Sequence, residues 1–110
     1  METIEIISGD SATWVAKLLD EDGVVVDLGD FDTVTLTVGL STPYTDASPT
    51  IETSGELDGC ATFSVPTNAI TSTVTKVVVC KVVVVKNNDE TPPVAIERHT
   101  IRFQCRVIAA

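Results

Sequence analysis

The sequence runs to 110 residues and 11.7 kDa, with 44% hydrophobic and 21% charged residues, which gives room for one domain with its own core and hardly for two. Val, Ile and Thr together supply 41 of the 110 residues; such an excess of stiff β-branched side chains favours strands and rules out a helical bundle, a coiled coil or a collagen-like fibre. The net charge of −9 disfavours nucleic acid or an anionic membrane as the main partner, because both call for a positive footprint.

In chain order, Thr3 to Ile7 reads as a first strand and Ser8-Gly9-Asp10 as the turn that ends it. Thr13 to Leu19 reads as a second, with Trp14, Ala16 and Leu18 on one face and Lys17 on the other. Asp20-Glu21-Asp22-Gly23 is turn chemistry, and Val24 to Leu28 is a short return segment. Thr33 to Leu40 alternates most cleanly: Val34, Leu36, Val38 and Leu40 face one way, Thr33, Thr35 and Thr37 the other. That is the pattern of a strand with one face in the core and one in water.

Ser41 to Pro49 reads as a loop, Thr50 to Ser54 as an edge strand and Gly55 to Gly59 as a turn. Cys60 to Val65 is a strand ended by Pro66, which lacks a ladder donor. Within the connection Thr67 to Thr75, the spacing of Ile70 and Val74 fits one helical turn capped by Thr67. Lys76 to Lys86 is a valine-rich strand, Asn87 to Pro93 a hairpin loop and Val94 to Val107 the last strand. Seven or eight strands in so short a chain predict an all-β fold, an immunoglobulin-like β-sandwich of two antiparallel sheets spanning residues 1–110 as a single domain. Its expected core holds Trp14, Leu18, Val34, Leu36, Val38, Phe63, Phe103 and Val107.

The last two strands set a condition on each other. In the final strand Ile101, Phe103, Cys105 and Val107 share one face, while Arg98, Thr100, Arg102, Gln104 and Arg106 share the other. Burying unpaired arginines is very costly, so the odd residues face inward. In the preceding strand one face is Val78, Cys80, Val82 and Val84, and the other is Val77, Val79, Lys81, Val83 and Val85. Lys81 belongs outside, so here the even residues face inward. An even inward face paired with an odd one requires partner numbers that sum to an odd value, or a bulge. Val77, Val79, Val83 and Val85 are then left outside with Lys81, Arg98, Arg102 and Arg106. An apolar patch with a polar rim is the pattern of a partner-binding surface, although loops of the chain or water are alternative covers.

Charge is also unevenly distributed. Residues 1–60 carry 13 acids and only Lys17, whereas residues 61–110 carry 3 acids and 6 bases. This asymmetry suits contacts between copies or with a partner, and equally suits plain solubility. The start, Met1-Glu2-Thr3-Ile4-Glu5, has neither the basic nor the apolar region of a signal peptide. Apolar runs such as Val82 to Val85 are far short of the roughly 20 residues that cross a bilayer. The expectation is synthesis and folding in a cytoplasm, with Cys60, Cys80 and Cys105 as buried free thiols.

Catalytic chemistry is sparse. His99 is the one histidine, set within a strand, with no nucleophile elbow before it. A simple hairpin about Asn87–Pro93 puts Cys80 opposite residue 100 or 101 and Cys105 four or five residues further along. That is roughly 13–17 Å at the strand rise, too far for a disulfide or a shared metal. Asp20, Asp22, Asp27, Asp30 and Asp32 offer oxygens to calcium, but the spacing of a calcium loop is missing and turn roles account for them. A carboxylate pair such as Asp30 with Glu52 has no sugar cleft to mark it. The expectation is therefore a protein that is not an enzyme and has no catalytic, cofactor-binding or metal-binding residues.

Four stretches carry a likeness in their order: Ile7-Ser8-Gly9-Asp10-Ser11-Ala12-Thr13, then Leu19-Asp20-Glu21-Asp22-Gly23-Val24-Val25-Val26-Asp27-Leu28, then Val34-Thr35-Leu36-Thr37-Val38, then Gly59-Cys60-Ala61-Thr62-Phe63-Ser64-Val65. This resembles the immunoglobulin-like N-terminal domain of phage baseplate upper proteins and related tail and virion modules. In those, a Gly-Asp before a strand, an Asp-x-Asp-Gly turn and an Asp-Leu pair recur in this order. The hairpin Asn87–Pro93 departs from them in lacking an Asp-Gly turn. Bacterial surface immunoglobulin-like adhesion modules show similar turns. The resemblance implies a building block of the virion, assembled in the host cytoplasm, without catalysis or cofactor. It would dock on capsid proteins as a decoration or cement subunit, or on tail or baseplate proteins as an adaptor, with copies of itself as a further partner.

Overall fold

The computed structural model describes residues 2–110, and these form eight strands: β1 (Thr3–Ile7), β2 (Ala12–Ala16), β3 (Thr33–Val38), β4 (Tyr44–Asp46), β5 (Thr50–Ile51), β6 (Ala61–Val65), β7 (Lys76–Asn87) and β8 (Ala95–Ile108). Five strands make one sheet in the order β1-β8-β7-β3-β4, and three make the other in the order β2-β6-β5. The chain crosses between sheets four times, at the Ser8–Ser11 turn, between β2 and β3, after β4, and between β6 and β7, in the manner of an immunoglobulin-like sandwich. Pairing is antiparallel except at one place: β1 runs parallel to β8, from Thr3 beside Gln104 to Ile7 beside Ile108. The first sheet is therefore mixed, where the sequence leads one to expect antiparallel sheets throughout. An antiparallel neighbour comes from a short hairpin, but β1 and β8 lie at opposite ends of the chain and meet only when the sandwich closes.

The core lies between the sheets. Val34, Leu36 and Val38 of β3, Val78, Cys80, Val82 and Val84 of β7, Cys105 and Val107 of β8, and Phe63 and Val65 of β6 are all buried. Irregular segments add to it, with Leu28, Cys60 and Ile70 all buried. Asp27 accepts a hydrogen bond from the Gly29 N–H at 2.9 Å and starts a 3-10 turn over Leu28–Asp30, which buries Leu28. Gly59 sits tight against this turn with φ +85; its carbonyl accepts the Leu28 N–H, and a Cβ there would lie 3.1 Å from the Asp27 Cα.

Several expectations shift. The second strand ends at Ala16, two residues before Leu18, which is only half-buried. Trp14 and Phe103 are also half-buried, because they meet edge to face at 5.7 Å across an open side of the sandwich. The loop Ser41–Pro49 holds β4, a three-residue edge strand, and the Thr50–Ser54 strand shortens to Thr50–Ile51. Residues 67–75 form no helical turn: Ile70 is buried while Val74 is exposed, and Asn68 takes a positive φ of 64. Helical spacing would have put Ile70 and Val74 on one face.

Candidate docking face

The register of β7 and β8 decides which residues share a face. Val77 lies opposite Arg106, Val79 opposite Gln104, Lys81 opposite Arg102, Val83 opposite Thr100 and Val85 opposite Arg98. Each pair sums to 183, an odd number, as the charges require. All eight residues picked out in the sequence, Val77, Val79, Lys81, Val83, Val85, Arg98, Arg102 and Arg106, thus lie on the outer side of the five-stranded sheet. Val77 is 53% and Val79 52% exposed, Val83 and Val85 are half-buried among their neighbours, and the four cations are exposed. Among the described residues no second layer packs on this side.

Other residues that the sequence did not single out complete the face. On β3, Thr33 and Thr35 flank Val85 and Val83, and Thr37 flanks Lys81. On β1, Glu5 stands beside Arg106, with its carboxylate 3.4 Å from the guanidinium. Ile7, 48% exposed, extends the apolar area at the far end of β1. Alternation within β1 marks Glu5 and Ile7 as outward, but only the parallel pairing with β8 places them on this face. The result is a shallow valine band edged by four cations and a single carboxylate. Arg98, Arg102 and Lys81 form no ion pair among the described residues.

The two cysteines behind the face stand closer than the sequence suggests. Cys80 lies opposite Phe103, and Cys105 opposite Val78, so the offset is two residues rather than four or five. The cause is an irregular hairpin end: Asn87 pairs with Ala95, and the register slips between Lys86 and Asn87. Both thiols are free and fully buried, as is that of Cys60. Burial, and secondarily the neighbouring Cys105, pushes the Cys80 thiol up to about 12, and burial raises Cys105 as well. A thiol held protonated in this way is a core side chain and a poor nucleophile.

Asp20, Asp27 and Asp32 accept backbone N–H groups, Asp32 from the far end of β7. Asp20 accepts the N–H groups of Asp22 and Val24, both at 2.9 Å, and Asp32 accepts that of Asn87 at 2.6 Å. No group of three or more His, Cys, Asp or Glu is placed to hold a metal ion among the described residues. His99 contacts Glu97 at 2.8 Å and meets Phe31 edge to face. No helix among the described residues is long and apolar enough to cross a membrane.

Comparison with protein-family models, curated proteins and solved structures gives no match to this chain.

Proposed function

We propose that this chain is a non-enzymatic structural module of a phage virion, a decoration or cement subunit that docks on the capsid through the outer side of its five-stranded sheet. The supporting observation is the uncovered band of Val77, Val79, Val83 and Val85 set among Lys81, Arg98, Arg102 and Arg106. A sheet face destined for water alone is usually polar along every strand, whereas here β7 is apolar beside the threonines of β3. Valines release water on docking, and the flanking cations select an acidic counterpart and fix its orientation. The likeness of the turn motifs to virion modules supplies the kind of assembly.

The test is the double variant Val79→Asp with Arg102→Glu. Both positions are exposed, so the fold should survive, which melting checks. The expected outcome is a folded protein that fails to join particles. Normal incorporation would remove this face as the docking site. Assaying separated heads and tails for the wild-type chain distinguishes the capsid from the tail or baseplate adaptor role.

A further inference from the structure

The five-stranded sheet has an edge within it. β1 covers β8 only from Gln104 to Ile108, so from Ala95 to Phe103 no strand among the described residues lies on that side. The backbone of this stretch points in a known direction. The Gln104 N–H donates to the Glu2 carbonyl at 2.8 Å, so the even-numbered residues of β8 turn their N–H and C=O groups away from β7. Among the described residues, those of Arg98, Thr100 and Arg102 therefore line an open edge, a ready template for one more strand.

Side chains on the same stretch supply two kinds of recognition. Arg98 and Arg102 project on the outer side, exposed and without an ion pair among the described residues. Ile101 and Phe103 project inward and are half-buried. They form one wall of a groove of about 460 Å³ at the open side of the sandwich, whose other residues include Ile4, Trp14, Ala16 and Leu57. An added strand would direct alternate side chains into this groove and the rest toward the arginines.

We propose that this edge and groove receive an extended acidic segment of a partner protein, added to the sheet as a strand with acidic residues opposite Arg98 and Arg102 and apolar residues between them. β1 already follows this rule next door: Glu5 meets Arg106 on the outer side, while Ile4 and Ile6 turn inward. The spacing of the two arginines sets the pattern, an acid at the first and fifth positions with apolar residues at the second and fourth. The pattern reads the same in both directions, so parallel and antiparallel addition both satisfy it. A second copy pairing through its own β8 about a two-fold at Thr100 sets Arg98 opposite Arg102, and like charges facing across strands repel. The edge shares Arg98 and Arg102 with the rim of the valine band but none of its valines, and peptide binding at the edge is read independently of whether that band docks.

The probe is a synthetic peptide, acetyl-Thr-Val-Glu-Val-Thr-Val-Glu-Val-Thr-amide, added to the whole chain. Trp14 is the single tryptophan, so its fluorescence reads the groove, and amide exchange reads the edge. The expected result is a saturable blue shift with slowed exchange at Arg98, Thr100 and Arg102. The same peptide with lysine in place of both glutamates should bind about tenfold more weakly, and Arg98→Glu with Arg102→Glu should reverse that preference. Thr100→Pro removes an edge donor without touching the β7 ladder and should abolish binding; if it fails to fold, exchange in the wild-type chain decides. No saturation at about 1 mM peptide, or saturation without protection of those three amides, overturns the proposal. Equal binding of the lysine peptide overturns its acidic specificity.

Discussion

Leu36 offers a stringent test of the packing. It is fully buried in β3, beside Val82 of β7 and behind the floor of the groove that Trp14 and Phe103 flank. Leu36→Ala deletes three carbon atoms from a site with rigid strands on both sides, where collapse is limited. The transfer loss is about 0.8 kcal/mol per buried carbon, or about 2.4 kcal/mol, and the cavity left behind adds to it. An expected loss of about 3 kcal/mol follows, within the usual range for buried leucine. For a domain this small, each kcal/mol lowers Tm by about 4–8 °C, so the melt should fall on the order of 15 °C. Urea denaturation followed by Trp14 fluorescence measures the change, with the slope m held equal between the two proteins as the condition for reading it as stability. Val77→Ala on the outer side, half exposed, serves as the control and should cost less than about 1 kcal/mol. A loss below about 1 kcal/mol for Leu36→Ala, or equal losses at the two positions, would refute the inward assignment of β3 and β7.

Gly39 approaches the β7 backbone so closely that a Cβ would stand 2.9 Å from the Val79 carbonyl oxygen, which already accepts the Gly39 N–H at 3.0 Å. Gly39→Ala should therefore destabilise the protein by about 1–3 kcal/mol, read as a lowered Tm. The buried thiols give a pH dependence with a fixed sign. Cys80 and Cys105 titrate above the usual 9.0 when folded, so above pH 9 the unfolded chain holds fewer protons and stability falls as pH rises. Each thiol that ionises only on unfolding contributes a slope of about 1.4 kcal/mol per pH unit, visible in urea midpoints between pH 9 and 11, and Cys80→Ala should flatten it. The same burial predicts that a thiol reagent at pH 8 reacts only as fast as the chain opens, and rapid labelling of folded protein would contradict it.

The parity of the β7–β8 register can be read from charge alone, because Lys81 and three arginines cannot be buried unpaired, and that one constraint locates the part of the candidate face that β7 and β8 supply, but not the flanks from β1 and β3. Its exact offset could not, since the slip at Lys86 and Asn87 depends on the conformation of a loop with no diagnostic turn residues. The alternation of β3 gave its buried face, with Val34, Leu36 and Val38 all inside. Size and apolarity place Trp14 and Phe103 deep in the core, yet they sit at its mouth, a distinction that depends on where the second sheet stops. β4 leaves no periodic trace in the sequence because three residues, Tyr44–Asp46, are too few to show one. The parallel pairing of β1 with β8 joins residues about a hundred positions apart, and nothing local in either strand specifies it. The open edge of β8 follows directly from that pairing and was invisible for the same reason.

The same pairing determines how the domain bears force. Tension that enters at Thr3 and leaves at Ile108 runs along two neighbouring strands from opposite ends of their overlap. It pulls them past each other lengthwise, so the bonds joining β1 to β8 share the load together instead of opening in turn as a zipper would. A hairpin pulled from its two free ends has no such protection. The parallel seam at the margin of the sheet is thus a mechanical clasp.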